Sequence, residues 1–143
     1  MTIYSDEIKV GMSASFTRTV SERDIDLFGE VSGDKNPVHF DEDYAKTTVF
    51  KGRVAHGVLS ISYISAVLGN EMPGPGTVFL GASFNFKAPV RIGDTVVTTC
   101  TLREIGERRR VTFDCVCKVG DTVVVEGEAL VMAPARPPAS AKT

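Results

Sequence analysis

Between Gly57 and Leu68 the chain carries no charged residue, and its apolar side chains recur on a helical period at Val58, Leu59, Ile61, Ile64, Ala66, Val67 and Leu68. The positions between them are Ser60, Ser62, Tyr63 and Ser65, so no side of the helix is built to face water. Such a helix must be surrounded by other structure. The stretch from Val58 is only about half as long as a bilayer span requires, so it is read as a core helix. Gly69 and Asn70 follow as its C-terminal stop.

The surroundings are supplied by the second half of the chain, which reads as strand throughout. After Pro73-Gly74-Pro75-Gly76, the residues Val78, Leu80, Ala82, Phe84, Phe86 and Ala88 alternate with Phe79, Gly81, Ser83, Asn85 and Lys87. Pro89 to Asp94 makes a turn. Val96, Thr98, Cys100 and Leu102 form the inward face of the next strand, and Val111, Phe113, Cys115, Cys117 and Val119 that of its successor. Gly120-Asp121 turns the chain into a last strand, Thr122 to Met132. A weaker alternation over Ala14 to Val20 predicts a short first strand. The predicted architecture is α+β, with an antiparallel sheet curled around one buried helix. Sheet edges left open in this way call for cover or pairing, for which a homodimer is the simplest arrangement.

With 143 residues, the chain suits one domain and is too short for two ordinary ones. That domain is placed at 1–132. Residues 133–143, rich in Pro and Ala without periodicity, are expected to form a disordered tail.

A net charge of −2 argues against nucleic acid as a partner. The basic run Arg108-Arg109-Arg110 reads as a solvated hairpin tip. Met1 to Gly11 has Asp6 and Glu7 and no apolar run, so no secretory signal is expected. Cys100, Cys115 and Cys117 are odd in number, lack metal-ligand spacing and are expected as buried thiols in a reducing cytoplasm. With His39 and His56 the only histidines, no metal site is expected.

Polar chemistry concentrates ahead of the buried helix. Ser21 is a good helix N-cap, with Asp24 in the capping-box position, and Ile25, Phe28 and Val31 mark the apolar face of a short helix that Gly33 ends. The stretch Asp34-Lys35-Asn36-Pro37-Val38-His39 is then read as a loop, since Pro37 donates no N–H and pushes Asn36 towards extended backbone. A loop can fold Asp34 and His39 onto one point, a carboxylate beside a group that titrates near neutrality, while the same residues also suit an ordinary turn with the His at the start of the next helix. Asp41 to Ala45 reads as a second short helix. His56-Gly57 then opens the buried helix, whose free N–H groups suit a developing oxyanion; Gly57 lets a carbonyl approach without a Cβ in the way.

These residues together carry a resemblance. Gly33-Asp34-Lys35-Asn36-Pro37-Val38-His39, then Ala45, His56-Gly57 and the strand Gly81 to Val90, resemble the MaoC-like (R)-specific enoyl-CoA hydratases over nearly the whole chain except its tail. The resemblance implies a hot-dog fold, a homodimer or higher homo-oligomer, and reversible syn addition of water to a trans-2-enoyl thioester of coenzyme A. It implies that Asp34 and His39 hold the water and handle its protons, and that the Gly57 amide binds the thioester oxygen. Asn36 would orient the loop, and Ser65 would reach the active site from the buried helix. No cofactor is implied, coenzyme A being part of the substrate. An acyl tunnel near Leu68 and Phe84, and phosphate contacts from Lys87 or Arg91, complete the expectation.

Three other readings share this framework. They are a dehydratase acting on (R)-3-hydroxyacyl groups of acyl carrier protein, a hot-dog acyl-CoA thioesterase, and a non-catalytic dimer that binds acyl thioesters. The spacing of Asp34, Asn36, Pro37 and His39 favours hydration over thioester cleavage.

Overall fold

The chain enters its fold along an edge strand, Ser13–Thr19 (β1), whose hydroxyls meet those of Thr95, Thr99 and Thr101 across the ladder. The computed structural model describes residues 1–139. Helix α1 (Glu22–Ser32) starts at Ser21 with the full capping box, each of Ser21 and Asp24 bonding the other's backbone N–H. It stops at Gly33, in the left-handed conformation with φ 78°. Val31, expected on its apolar face, is 83% exposed, so Ile25 and Phe28 alone turn inward.

The segment read as one loop is a loop only as far as Asn36. Pro37–Phe40 (α2) is a single helical turn, followed by another, Glu42–Ala45 (α3). Asn36 caps α2 and Pro37 occupies its first turn, where the missing N–H is no loss and the fixed φ is already helical. A proline that breaks a helix interior therefore starts one here. Val38, Ala45 and Val54 bury against one another beneath these turns, with Phe50 packed on them.

Helix α4 (Gly57–Ala66) is the buried helix. It does not stop at Gly69: Val67–Glu71 continues as a wider π-type turn, closed by the Met72 N–H on the Val67 carbonyl at 2.9 Å. Four longer strands follow: Val78–Phe86 (β2), Thr95–Ile105 (β3), Arg110–Val119 (β4) and Thr122–Met132 (β5). Every pairing is antiparallel and the order is β1-β3-β4-β5-β2. Leu59, Tyr63 and Ile64 of α4 pack against Val96, Cys100, Phe113, Cys117 and Val125 in one core. This is the hot-dog arrangement, a helix held in a curled sheet.

The three cysteines are buried and unpaired, as the strand alternation requires. β2 departs from its expected pattern, because neither of its faces is buried along its length. A bulge between Phe79 and Gly81 also shifts its register on β5. The packed part of the chain extends beyond 132 into the expected tail. Ala133 is fully buried, and Arg136 reaches back to the carboxylates of Asp6 and Glu7 at 3.0 and 2.9 Å. A periodicity search does not see such pairing between two terminal segments; residues 140–143 lie outside the described residues. Among the described residues no helix is long and apolar enough to cross a membrane.

Candidate active site

A relay of short side chains shapes the backbone around Asp34. Ser32 Oγ accepts the Asp34 N–H at 3.1 Å, Asp34 Oδ1 accepts the Asn36 N–H at 3.3 Å, and Asn36 Oδ1 accepts the Val38 N–H at 3.2 Å. Each is a local bond of the kind Ser, Asp and Asn favour in turns. Together they carry the chain from the end of α1 into α2 and turn His39 inward, where it is 9% exposed. Asn36 thus has the loop-shaping position expected of it.

His39 and His56 are fixed by backbone carbonyls. His39 Nδ1 lies 2.7 Å from the Val54 oxygen, and His56 Nε2 lies 3.0 Å from the Asp34 oxygen. A carbonyl only accepts, so each of these nitrogens carries the proton, and His39 keeps a lone pair on Nε2. The two rings stack, with centroids 3.8 Å apart and planes 28° from parallel. Arg53 Nε donates to the His39 carbonyl at 2.8 Å and ties α2 to the loop before α4. Burial lowers the His39 pKa below its ordinary value, and the His56 ring adds to this; the Val54 carbonyl and the Asp34 charge oppose it.

Asp34, His39 and His56 each offer a ligand atom, and these atoms lie within 4.8 Å of one another. They fit a metal ion poorly. Stacked imidazoles direct their in-plane lone pairs along nearly parallel planes, and His56 Nδ1 is sealed from any partner. The same closeness suits proton exchange between a carboxylate and a neutral imidazole.

Asp34, Asn36, His39 and Gly57 all line one cavity of about 550 Å³, whose remaining wall is largely apolar, with Val38, Val54, Phe86 and Val125. Gly57 is the first residue of α4, and its N–H has no carbonyl within the helix to donate to. The glycine also leaves room for a neighbouring ring, which a side chain here would displace. A Cβ there would lie 2.6 Å from the Phe86 ring, which packs over the start of the helix.

Other expected contacts fall elsewhere. Ser65 is exposed and not on this cavity. Leu68 is 1% exposed in the core, and neither it nor Phe84 lines the cavity. Arg91 spends its guanidinium on the carbonyls of Phe50 and Arg53, at 2.5 and 3.4 Å, so it is committed to the loop. Lys87 does line the cavity, half-exposed, with Glu126 at 3.5 Å. The cavity wall also holds Ser60, which was not singled out from the sequence. It follows Gly57 by one helical turn, and that spacing was the available signal.

The family model described as MaoC like domain matches residues 5–126. The chain is 56% identical to the (R)-specific enoyl-CoA hydratase of Rhodospirillum rubrum, over 93% of each chain. It is 45% identical to the 3-hydroxybutyryl-CoA dehydratase of Methylorubrum extorquens, over 92% of this chain and 85% of that one. Among solved structures it resembles the unliganded R-hydratase of Pseudomonas aeruginosa, with a TM-score of 0.89 and 43% identity, covering 94% of this chain and 88% of the other.

Proposed function

This chain belongs to the MaoC-like domain family, and we propose that it is an (R)-specific enoyl-CoA hydratase. The carrying observation is that a carboxylate, a neutral imidazole with a free Nε2 and an unpaired helix-start amide share one largely apolar cavity. In this reading Asp34 and His39 hold a water against C3 of a trans-2-enoyl thioester. One proton leaves the water as its oxygen bonds to C3, and one proton is delivered to C2 on the same face, giving the (R)-3-hydroxyacyl thioester. The Gly57 N–H receives the carbonyl oxygen while it carries enolate charge. Coenzyme A enters as part of the substrate, and the steps draw on no separate cofactor or metal.

Crotonyl-CoA tests the reading through loss of its conjugated-thioester absorbance and the chirality of the product. Asp34→Asn and His39→Gln should each lower turnover by roughly two to four orders of magnitude in folded protein. Parent-like rates in either variant would remove that residue from proton transfer. Release of free thiol would instead mark a thioesterase. The same acyl group on coenzyme A and on acyl carrier protein, assayed side by side, decides the carrier.

Two wider features belong to the same proposal. Two copies pair along β2, the edge strand that exposes Val78, Phe79, Leu80 and Phe86, whereas the β1 edge carries hydroxyls. Ser65, on the open face of α4, then contacts substrate only from a second copy. Three unpaired buried thiols suit the reducing cytoplasm as the compartment.

A further inference from the structure

We propose that the Ser60 hydroxyl is a second hydrogen-bond donor to the thioester oxygen, beside the Gly57 amide; this rests on the hydratase reading above. Ser60 is 3% exposed, yet its side chain lines the cavity that holds Asp34, His39 and Gly57. A serine inside a helix commonly spends its hydroxyl on a carbonyl three or four residues back. Ser62 does so on Leu59 at 2.5 Å, and Ser32 on Phe28 at 2.6 Å. Ser60 does not. Among the described residues its Oγ has no protein partner, while its backbone carbonyl accepts the Cys117 thiol at 3.7 Å. The sealed side-chain atoms without a partner among those residues are His56 Nδ1 and the Tyr63 hydroxyl, so the Ser60 hydroxyl stays open to the cavity, and its hydrogen bonds fall to whatever fills that space.

Placement decides which ligand atom that is. Three residues of helix put Ser60 about 4.5 Å along the axis from Gly57 and on nearly the same face. Helical Cα–Cβ bonds tilt toward the N-terminus, which carries Oγ back over the turn that begins at Gly57. The amide and the hydroxyl therefore address one volume, walled by Ala55 and Val125. Donors in an apolar wall act most strongly on charge that develops during the reaction. The hydroxyl keeps its proton throughout; its bond to the oxygen tightens in the enolate and relaxes once C2 is protonated.

Ser60→Ala removes the donor, and Ser60→Cys keeps the size while offering only a weak one. Neither variant adds bulk to the core, and thermal melting checks that both fold. With crotonyl-CoA, each should lower kcat by about 10–100-fold with KM changed far less, and Ser60→Thr should restore most of the rate. Isotope-edited infrared difference spectra of bound thioester should show the carbonyl stretch at higher frequency in Ser60→Ala than in the parent. Unchanged kcat and an unshifted carbonyl band in folded Ser60→Ala would overturn the proposal. So would parent-like kcat in Ser60→Cys, since size alone would then suffice. A parent protein that hydrates nothing removes the hydratase reading itself, which separates that failure from this one.

Discussion

At His39 two opposing influences meet, and burial outweighs the rest. Loss of hydration disfavours the imidazolium, and the hydrogen bond to Val54 and the charge of Asp34 only partly offset it. The group is therefore neutral at pH 7 and stays so below its ordinary value of 6.5. If neutral His39 is the active form, kcat/KM should hold as pH falls through 6.5 and decline only below it. An acid limb centred above that value would contradict the role. The stability consequence has the same sign. As pH falls, the unfolded chain takes up the proton first, so stability is lost from about 6.5 downward and levels off once the folded protein also binds it. Urea midpoints at pH 7.5 and 5.5 should differ in the parent, and His39→Gln should narrow the gap.

At the scale of elements, α1 and β5 each depend on one position. Asp24 joins the capping box of α1 to β1, accepting Arg18 Nη2 at 2.6 Å and Nε at 3.1 Å and the Ser21 N–H at 3.2 Å. The Arg18 hydrogen bonds hold its carboxyl below the usual value of 3.8, with the Ser21 N–H adding to this against burial. The stabilisation is thus present above that value and lost as pH drops through the lower folded one. Asp24→Asn should cost about 1–3 kcal/mol at pH 7 by denaturant unfolding, since the bonds serve both a helix cap and a strand. Gly127 controls β2. A Cβ there would fall onto the Ser83 carbonyl and within 2.8 Å of the Phe84 Cα, so Gly127→Ala must push β2 off β5. About 1–3 kcal/mol or more of stability should go with it, visible in the melting temperature, and faster hydrogen exchange should be confined first to β2.

For the whole molecule, the two sheet edges differ in chemistry. β1 ends in threonine and serine hydroxyls already paired across the ladder, while β2 presents Phe79 and Leu80 at 38% and 40% exposure. Charged residues on such an edge block further pairing. Phe79→Lys with Leu80→Glu should therefore sediment at monomer mass and lose activity, if Ser65 of a second copy completes the site. A persisting dimer of parent activity would place the interface elsewhere.

Local order was legible in the residues because its causes are local. The Ser21–Asp24 capping box, the left-handed Gly33 and the two-residue period of β3 to β5 each rest on neighbours within a few positions. Even the misread Pro37 was a local matter, its place after a capping Asn36 deciding between breaking and starting a turn. What the residues could not convey was phase. A helix without charge on any side bears no mark of which side meets the cavity: Ser65, expected at the site, is exposed, and Ser60, roughly 140° away around α4, is the buried serine on the cavity wall. The remaining site contacts are made across the chain: His39 with Val54 over 15 residues, His56 with Asp34 over 22, and the Phe86 ring in the space a side chain at Gly57 would need. Asp34, His39 and Gly57 could be named from sequence as the parts of one site. Only packing the sheet around α4 brought them onto one cavity, locked the His39 tautomer and showed the hydroxyl of Ser60 among them.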